Sequence, residues 1–411
     1  MLNTATEKTS VIGLGKLGLP LAAVLAESGY QTFGFDLDER HVTSLRDGKF
    51  EFSEPSLERI LNESRHNLRF TSVIGECSHC DIYFLIVPTP SDVNNEFSNQ
   101  YLFSAIDALL ISWEGIDSPK TLVIVSTVMP GTCESLFVPK IRKWEILNGF
   151  PTGMISIVYS PEFIALGTVI DNLKNPDMVL VGCEKPEDAQ VFLKVMSKVV
   201  GNLETVDVLS LSEAELVKLL VNCFVTMKIS FANFIGEFSD ALPEINKYKV
   251  ARALGMDTRI GNKYLRPGIG FAGPCFPRDN KALIAFSNRY GLVADLAIAT
   301  ETVNARQPEN VCRRIYKQYP KVRKIGILGI AYKKNTLVLD ESQSIKIAER
   351  LFAEGYDVLL FDPLIKSIET NEFKIAQRIE ELQSCELVIF SSEFGYLLEG
   401  MSSAFSNLLE I

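Results

Sequence analysis

Cys275 stands inside the run Pro267-Gly268-Ile269-Gly270-Phe271-Ala272-Gly273-Pro274-Cys275-Phe276-Pro277-Arg278-Asp279. Glycines at 268, 270 and 273 allow close backbone approaches that a Cβ forbids, while Pro274 and Pro277 stiffen the segment on either side of the thiol. Such a loop can press its backbone against a ligand. Asp279 follows Cys275 by four residues, so a helix that begins near Pro277 puts both side chains on one face. A thiol with a carboxylate in the same small volume points to covalent catalysis. An inert cysteine in a surface loop is the plainer alternative. The rest of the chain has to separate the two.

Two further groups belong to the same question. From Ser210 a long run of helix formers carries Lys218 and Asn222, spaced i and i+4 on an otherwise apolar helix. A lysine taken into such surroundings needs a partner or a ligand, or else must snorkel to water. The helix is apolar nearly all round, with Leu216, Leu219, Leu220, Phe224, Met227 and Phe231, which predicts burial between domains or subunits. Ser212 and Glu215 read as its capping box. Glu162, in Ser160-Pro161-Glu162-Phe163, adds a carboxylate at the end of an apolar strand pattern. Taken alone, a glutamate at a strand end is usually just solvated.

The elements that must position these groups are legible in order. Ser10-Val11-Ile12 reads as a strand, Gly13-Leu14-Gly15-Lys16-Leu17-Gly18 as a tight turn, and Leu21 to Ala26 as a helix. In this arrangement Gly13 makes the turn, Gly15 lets a pyrophosphate approach, and Gly18 lets helix pack on strand. The helix N-terminus then faces the phosphates. A second strand ends at Asp36, where an acid bonds a ribose 2′-hydroxyl and repels a 2′-phosphate, so the cofactor is expected to be NAD. More apolar strands recur at 83–87, 122–125, 155–159 and 177–182, separated by helical stretches, which describes a doubly wound parallel sheet. Pro88, Thr89, Ser126, Thr127 and Thr132 sit at strand ends, on the edge where such sheets bind ligands. Helix capping is an equal alternative for Thr89 or Thr132 taken singly. A smaller strand-helix-strand series restarts at Lys324, with an incomplete glycine signature and Lys333 and Lys334 at a strand end.

Composition narrows the partners. The chain has 411 residues and a formal net charge of -10. That length calls for more than one domain, and that charge opposes general binding to nucleic acid or anionic membrane. No secretory pattern and no apolar run of membrane-span length are read, so the expectation is a cytoplasmic protein. Eight scattered cysteines fit reduced thiols. Cys77 and Cys80 run straight into a strand without a second ligand cluster, so no metal is expected. Three histidines, all before residue 80, leave little for a histidine relay.

Together these motifs resemble the UDP-glucose/GDP-mannose dehydrogenase family, from about Val11 to about Pro363. The resemblance rests on Gly13 to Gly18, Asp36, Ser126-Thr127-Val128, Pro161-Glu162-Phe163, the helix pair Lys218 and Asn222, and the loop from Gly268 to Asp279. It implies an α/β fold with two Rossmann-like doubly wound parallel-sheet domains, joined by a long central helix and a helical dimerisation region. The expected domains are 1–207 for NAD, 208–320 for the central helical part with the cysteine loop, and 321–411 for the nucleotide sugar. The implied activity is oxidation of a sugar C6 alcohol to a carboxylate with two NAD in sequence, UDP-glucose being the default substrate and a UDP-N-acetylhexosamine or GDP-mannose the alternatives. Cys275 is then the nucleophile that forms a thiohemiacetal and a thioester. Lys218 and Asn222 stabilise the oxyanion, Asp279 and Thr127 handle water or alcohol, and Glu162 assists thioester hydrolysis. Gly13, Gly15, Lys16, Leu17, Gly18, Asp36, Pro88, Thr89, Ser126 and Thr127 would hold NAD. Phe163, Ile164, Lys218, Asn222, Arg259, Tyr264, Gly268, Phe271, Gly273 and Lys333 would hold the substrate, the arginine coming from a neighbouring subunit of a homodimer.

Three positions depart from the family pattern. Leu166 replaces a second glutamate, Asp340 replaces an arginine with Leu337 and Val338 in place of acids before it, and His41 replaces a lysine. The Asp340 exchange inverts charge near the expected sugar pocket. Two other classes remain in competition: a single-step hydroxyacid or phosphogluconate-like dehydrogenase, and a non-catalytic Rossmann sensor of nucleotide sugars.

Overall fold

A computed structural model describes residues 7–49, 54–164, 167–201, 203, 207–368 and 373–411. Leu166, one of the three departures, therefore lies outside the described residues. The chain divides into two compact units, Met1–Leu219 and Leu220–Ile411.

The first unit is built on eight strands: β1 (Thr9–Ile12), β2 (Thr32–Phe35), β3 (Leu68–Thr71), β4 (Ile82–Leu85), β5 (Lys120–Ile124), β6 (Ile155–Tyr159), β7 (Leu180–Cys183) and β8 (Asp207–Leu209). Their order across the sheet is β3-β2-β1-β4-β5-β6-β7-β8. The order reverses at β1 and β4, which opens a crevice at the strands' carboxyl ends. Successive side chains of a strand leave on opposite faces, and the core records this. Val11, Phe84, Val123 and Val158 join one apolar cluster, whereas Ile12, Leu85, Ile124 and Tyr159 join the other. Both faces of the sheet are covered, which is why its strands are continuous apolar runs. One detail differs from an all-parallel sheet: β6 and β7 pair antiparallel. An apolar run has no direction, so the connection decides this reversal and the strand composition does not.

The second unit holds a five-stranded sheet of β9 (Lys324–Leu328), β10 (Asp357–Phe361), β11 (Lys374–Ile375), β12 (Leu387–Phe390) and β13 (Leu408–Glu410). Its order is β11-β10-β9-β12-β13, parallel throughout. The helices Phe276–Arg289, Asp295–Ala305, Gln307–Gln318 and Gln343–Ala353 belong to the same unit.

One 31-residue helix, Leu211–Ala241, belongs to both units. Its start corrects the expected cap. Ser210 N and Oγ both donate to Glu213 Oε2, at 2.9 and 2.8 Å, and Glu213 N returns a bond to Ser210 Oγ. The capping pair is Ser210 and Glu213, because the helix begins at Leu211, one residue before Ser212. Ser212 instead donates to Glu134. Glu215, freed from that role, is fully buried and accepts from Gly131 N at 2.5 Å and Cys133 N at 2.8 Å. It thereby ties the first turns of the helix to the loop after β5.

One face of this helix is open in the single chain, and its length revises one expectation. Leu220, Phe224, Phe231, Phe234 and Phe238 are exposed, Phe224 by 60%. Their spacing of three, four and seven residues makes a single stripe along the helix. The helix is also long and apolar enough to cross a membrane by length and composition, with a mean hydropathy of 1.5 in its richest window. The expectation of no such run is thus overturned. Its Lys218, Asn222, Lys228 and Asn233 nevertheless bond to protein groups, as residues of a core helix do.

Replacing Glu215 by leucine leaves two buried N–H groups without an acceptor. The variant is expected to lose about 2–4 kcal/mol of unfolding free energy in urea titration, and an unchanged midpoint would show that the loop finds other acceptors.

Candidate active site

At the head of β1 the turn is closed by backbone contact. Gly13 has φ +98°, and a Cβ on it would lie 2.1 Å from the Ile86 carbonyl oxygen. A Cβ on Gly18 would lie 1.8 Å from the Gly13 oxygen. Gly15 has open space on that side, which leaves room for a phosphate group to approach. Leu14 N donates to Asp36 Oδ2 at 2.8 Å, and Asp38 N donates to Asp36 Oδ1 at 3.0 Å. His41 Nε2 meets the Leu14 carbonyl oxygen at 3.0 Å. The Leu14 N–H and carbonyl oxygen are thus both held, by Asp36 and by His41. Lys16 is exposed and Leu17 half-buried beside the turn. This donor set fits a dinucleotide: an open glycine turn at a helix N-terminus, with a carboxylate at the end of the next strand.

The neighbouring strand ends lock each other. Val87 N donates to Ser126 Oγ at 2.9 Å, and Ser126 Oγ donates to the Val87 oxygen at 2.7 Å. Thr89 Oγ1 donates to the Thr127 carbonyl oxygen at 2.8 Å. Ser126 and Thr89 therefore shape the edge of the crevice, and Thr89 is a loop clasp rather than a helix cap. Pro88 is exposed beside them.

After β6, Lys218 is 7% exposed, and its Nζ donates to the Glu162 carbonyl oxygen at 2.6 Å while lying 4.5 Å from the centre of the Phe163 ring. A carbonyl dipole and an aromatic face replace water around the cation. Burial pushes the Glu162 carboxyl up to about 7, against the pull of the Lys218 ammonium, which favours the ionised form. A carboxyl that changes charge near neutrality can take or give a proton at working pH. Ile164 is half-buried next to this group.

The second unit carries the thiol. Cys275 is exposed and stands at the N-cap of the helix Phe276–Arg289, which has proline in its first turn. Asp279 N closes that turn on the Cys275 carbonyl oxygen at 2.8 Å. The predicted helix start and the shared turn are both present. Asp279 is fully buried, with Oδ2 accepting from Asn222 Nδ2 at 2.6 Å and Oδ1 from Arg278 Nε at 3.2 Å. Gly273 N donates to the Asp340 carbonyl oxygen at 2.9 Å, and a Cβ on Gly273 would lie 2.6 Å from the Tyr332 ring. The Tyr332 hydroxyl is pushed up to about 12, by burial first and then by negative charge at Cys275, Glu393 and Asp340. Phenol, thiol and both carboxylates therefore share one neighbourhood, and Asp340 keeps its side chain exposed there.

Other predicted substrate contacts are spread over the same unit. Tyr264 has φ +61° and meets Phe276 edge-on, as does buried Phe271. Gly268 N donates to Asn233 Oδ1. Lys333 is half-buried in the loop after β9. The turn before it spends the Ile330 and Ala331 N–H groups on Asp362 Oδ2, which is why its glycine pattern is not that of the first turn. Arg259 is exposed and paired with Asp257 in its own chain. Sequence reasoning passed over Tyr332 and gave Glu215 the wrong task. Glu215 could have been found as an acid in a run of core-type residues.

The fold and these two groups of residues define an NAD-linked dehydrogenase of nucleotide sugars. Three family models match: the UDP-glucose/GDP-mannose dehydrogenase NAD binding domain at 7–200, the central domain at 212–306 and the UDP binding domain at 326–396. The chain belongs to the UDP-glucose/GDP-mannose dehydrogenase family. It is 30% identical over 398 residues to the putative UDP-glucose 6-dehydrogenase YtcA of Bacillus subtilis, covering 95% of this chain and 90% of that one. It is also 30% identical over 361 residues to the UDP-glucose 6-dehydrogenase AglM of Haloferax volcanii, covering 86% and 83%. Among solved structures, a UDP-glucose dehydrogenase from Pyrobaculum islandicum superposes with a TM-score of 0.86 at 29% identity, over 95% of this chain and 90% of that one. The chain is thus an NAD-dependent oxidoreductase acting on a nucleotide sugar.

The Lys218 cation favours the ionised form of Glu162, so Lys218→Met should move the Glu162 titration upward from about 7. Carboxylate infrared difference spectra across pH 5–9 would record this, and a midpoint that stays put would show that the two charges do not interact.

Proposed function

We propose that the enzyme oxidises the C6 alcohol of UDP-glucose to the uronic acid in two successive two-electron steps. The observation that carries the reading is Cys275, an exposed thiol at a helix head whose next turn holds the buried, doubly bonded carboxylate of Asp279. The glycine turn with Asp36, and the edge formed by Pro88, Thr89, Ser126 and Thr127, would hold NAD, which supplies a hydride acceptor for each oxidation. Lys16 and Leu17 flank that turn.

The chain's own residues have definite tasks in this reading. In the first step Thr127 and Asp279 would position the C6 hydroxyl and take up its proton as its hydride departs. The Cys275 sulfur then adds to the resulting aldehyde carbon, and the former carbonyl oxygen takes a proton to complete the thiohemiacetal. Loss of a second hydride and of that proton yields the thioester. Water adds to the thioester, the C–S bond breaks, and carboxylate and thiol are released. Lys218 and Asn222, one turn apart on the same helix, would stabilise the developing oxyanion. Glu162, titrating near neutrality, receives the proton of the attacking water. Phe163, Ile164, Tyr264, Gly268, Phe271, Gly273 and Lys333 would line the substrate path. Capture on sulfur keeps the aldehyde from leaving between the two oxidations.

The exposed stripe Leu220, Phe224, Phe231, Phe234 and Phe238 supports a homodimer. In that assembly Arg259 would reach the partner's substrate. A cytoplasmic location is supported by eight free thiols.

Two NADH are expected per UDP-glucose consumed. Cys275→Ser should remove acid formation while NAD binding stays within about twofold, and undiminished double oxidation would defeat the mechanism. One NADH per sugar in the native enzyme would favour a single-step dehydrogenase. A panel of UDP-, GDP-, CDP- and dTDP-sugars, scored by NADH release, decides the substrate. Phe231→Glu combined with Phe238→Glu should yield a monomer by sedimentation velocity, and an unchanged assembly would place the interface elsewhere.

A further inference from the structure

The loop that leads to Cys275 is held from behind by buried amides, and two of them spend their hydrogen bonds in an uneconomical way. Asn304, in the helix Asp295–Ala305, and Gln343, at the start of the helix Gln343–Ala353, both donate to the Phe271 carbonyl oxygen, each at 3.1 Å. Both side chains are more than nine-tenths buried. Neither amide oxygen has a hydrogen-bond partner among the described residues. Both oxygens face Gly270, where a Cβ would lie 2.2 Å from Asn304 Oδ1 and 2.9 Å from Gln343 Oε1. Turning either amide over gives no relief, because its oxygen would then meet the Phe271 oxygen with no proton between them.

A buried acceptor without a donor costs free energy. Two such acceptors around one carbonyl are not what selection for stability alone would leave. The same loop is gripped again close by, where Asn233 accepts from Gly268 N at 2.9 Å and donates to the Ile269 oxygen at 3.1 Å. From Phe271 only Ala272, Gly273 and Pro274 intervene before Cys275, and Gly273 is itself pinned to the Asp340 carbonyl oxygen. A displacement of the Phe271 carbonyl therefore has little chain in which to dissipate before it reaches the thiol.

We infer that Asn304 and Gln343 are positioning residues for the Cys275 thiol, fixing the Phe271 carbonyl so that the sulfur stands where it can capture the aldehyde. The inference rests on the reading of Cys275 as nucleophile. A sulfur displaced by about an ångström loses its approach to the carbonyl carbon, a loss that can reach about a hundredfold in rate. The first oxidation does not need the sulfur, so its product then escapes.

Gln343→Met and Asn304→Leu test this, since each near-isosteric change removes the donor together with the unpaired oxygen. Acid formation from UDP-glucose should fall by about tenfold or more. NADH per sugar should drop from two toward one, aldehyde should become trappable with a hydrazine reagent, and KM should stay within about twofold. The melting temperature should hold or rise, whereas a merely structural role would lower it. Iodoacetamide alkylation of Cys275, followed by peptide mass, reads the loop without any substrate, and the seven other thiols are buried. Its rate should change by about threefold or more.

Unchanged acid formation in both variants overturns the inference. So does a loss of melting temperature in step with activity, or a failure of both variants to fold. Should the native enzyme release no NADH from any nucleotide sugar, the substrate reading fails separately. The alkylation rate then decides the positioning claim, an unchanged rate sinking it.

Discussion

The site depends on keeping Lys218 charged inside a helix that is otherwise made for a core. An ammonium removed from water must recover its hydration from the protein, and here the Glu162 carbonyl and the Phe163 ring provide that. This one contact ties the long helix to the end of β6, and it places a carboxyl that titrates near neutrality beside a fixed positive charge. One turn further along the same helix, Asn222 repeats the device with the buried Asp279 carboxylate. Each polar residue on the helix has a protein partner that a plain apolar helix would not need. The stability given up in burying these groups is recovered as a preorganised electrostatic environment.

Around these contacts the scaffold is largely a set of close backbone approaches. The first turn closes because Gly13 and Gly18 present hydrogen where a methyl would overlap a carbonyl. The strand ends at 87–89 and 126–127 bind each other through Ser126 and Thr89, which stiffens the edge of the crevice. Glu215 ties the loop after β5 to the long helix. In the second unit the thiol loop is held by Asn233 and by the Asp340 main chain. Loops built this way lose little order when a ligand arrives, so binding energy is not spent on arranging them.

Two of the three departures from the family pattern acquire physical content. His41 contacts the glycine turn through the Leu14 carbonyl, so it helps to hold that turn. Asp340 retains a structural task through its main chain while its carboxylate adds negative charge near Tyr332 and Cys275. An arginine there would have neutralised that neighbourhood. The fold around this thiol is shared with a relative at 29% identity.

Much of the local geometry was written in the chain itself. The glycine spacing from 13 to 18, Asp36 after the second strand, the i and i+4 spacing of Lys218 and Asn222, and the four residues between Cys275 and Asp279 are short-range patterns. Such patterns fix geometry within one turn or one helix, so residue type and spacing were enough to read them. The family followed from their order. Tertiary structure alone decided the rest. That Glu215 serves a loop and not a cap, that β7 runs against β6, that Phe224 and Phe231 face outward, and that Asn304 and Gln343 converge on one carbonyl all depend on segments far apart in sequence. A helix records which of its residues share a face, yet nothing along it says what will stand opposite, because that partner arrives only when distant elements pack.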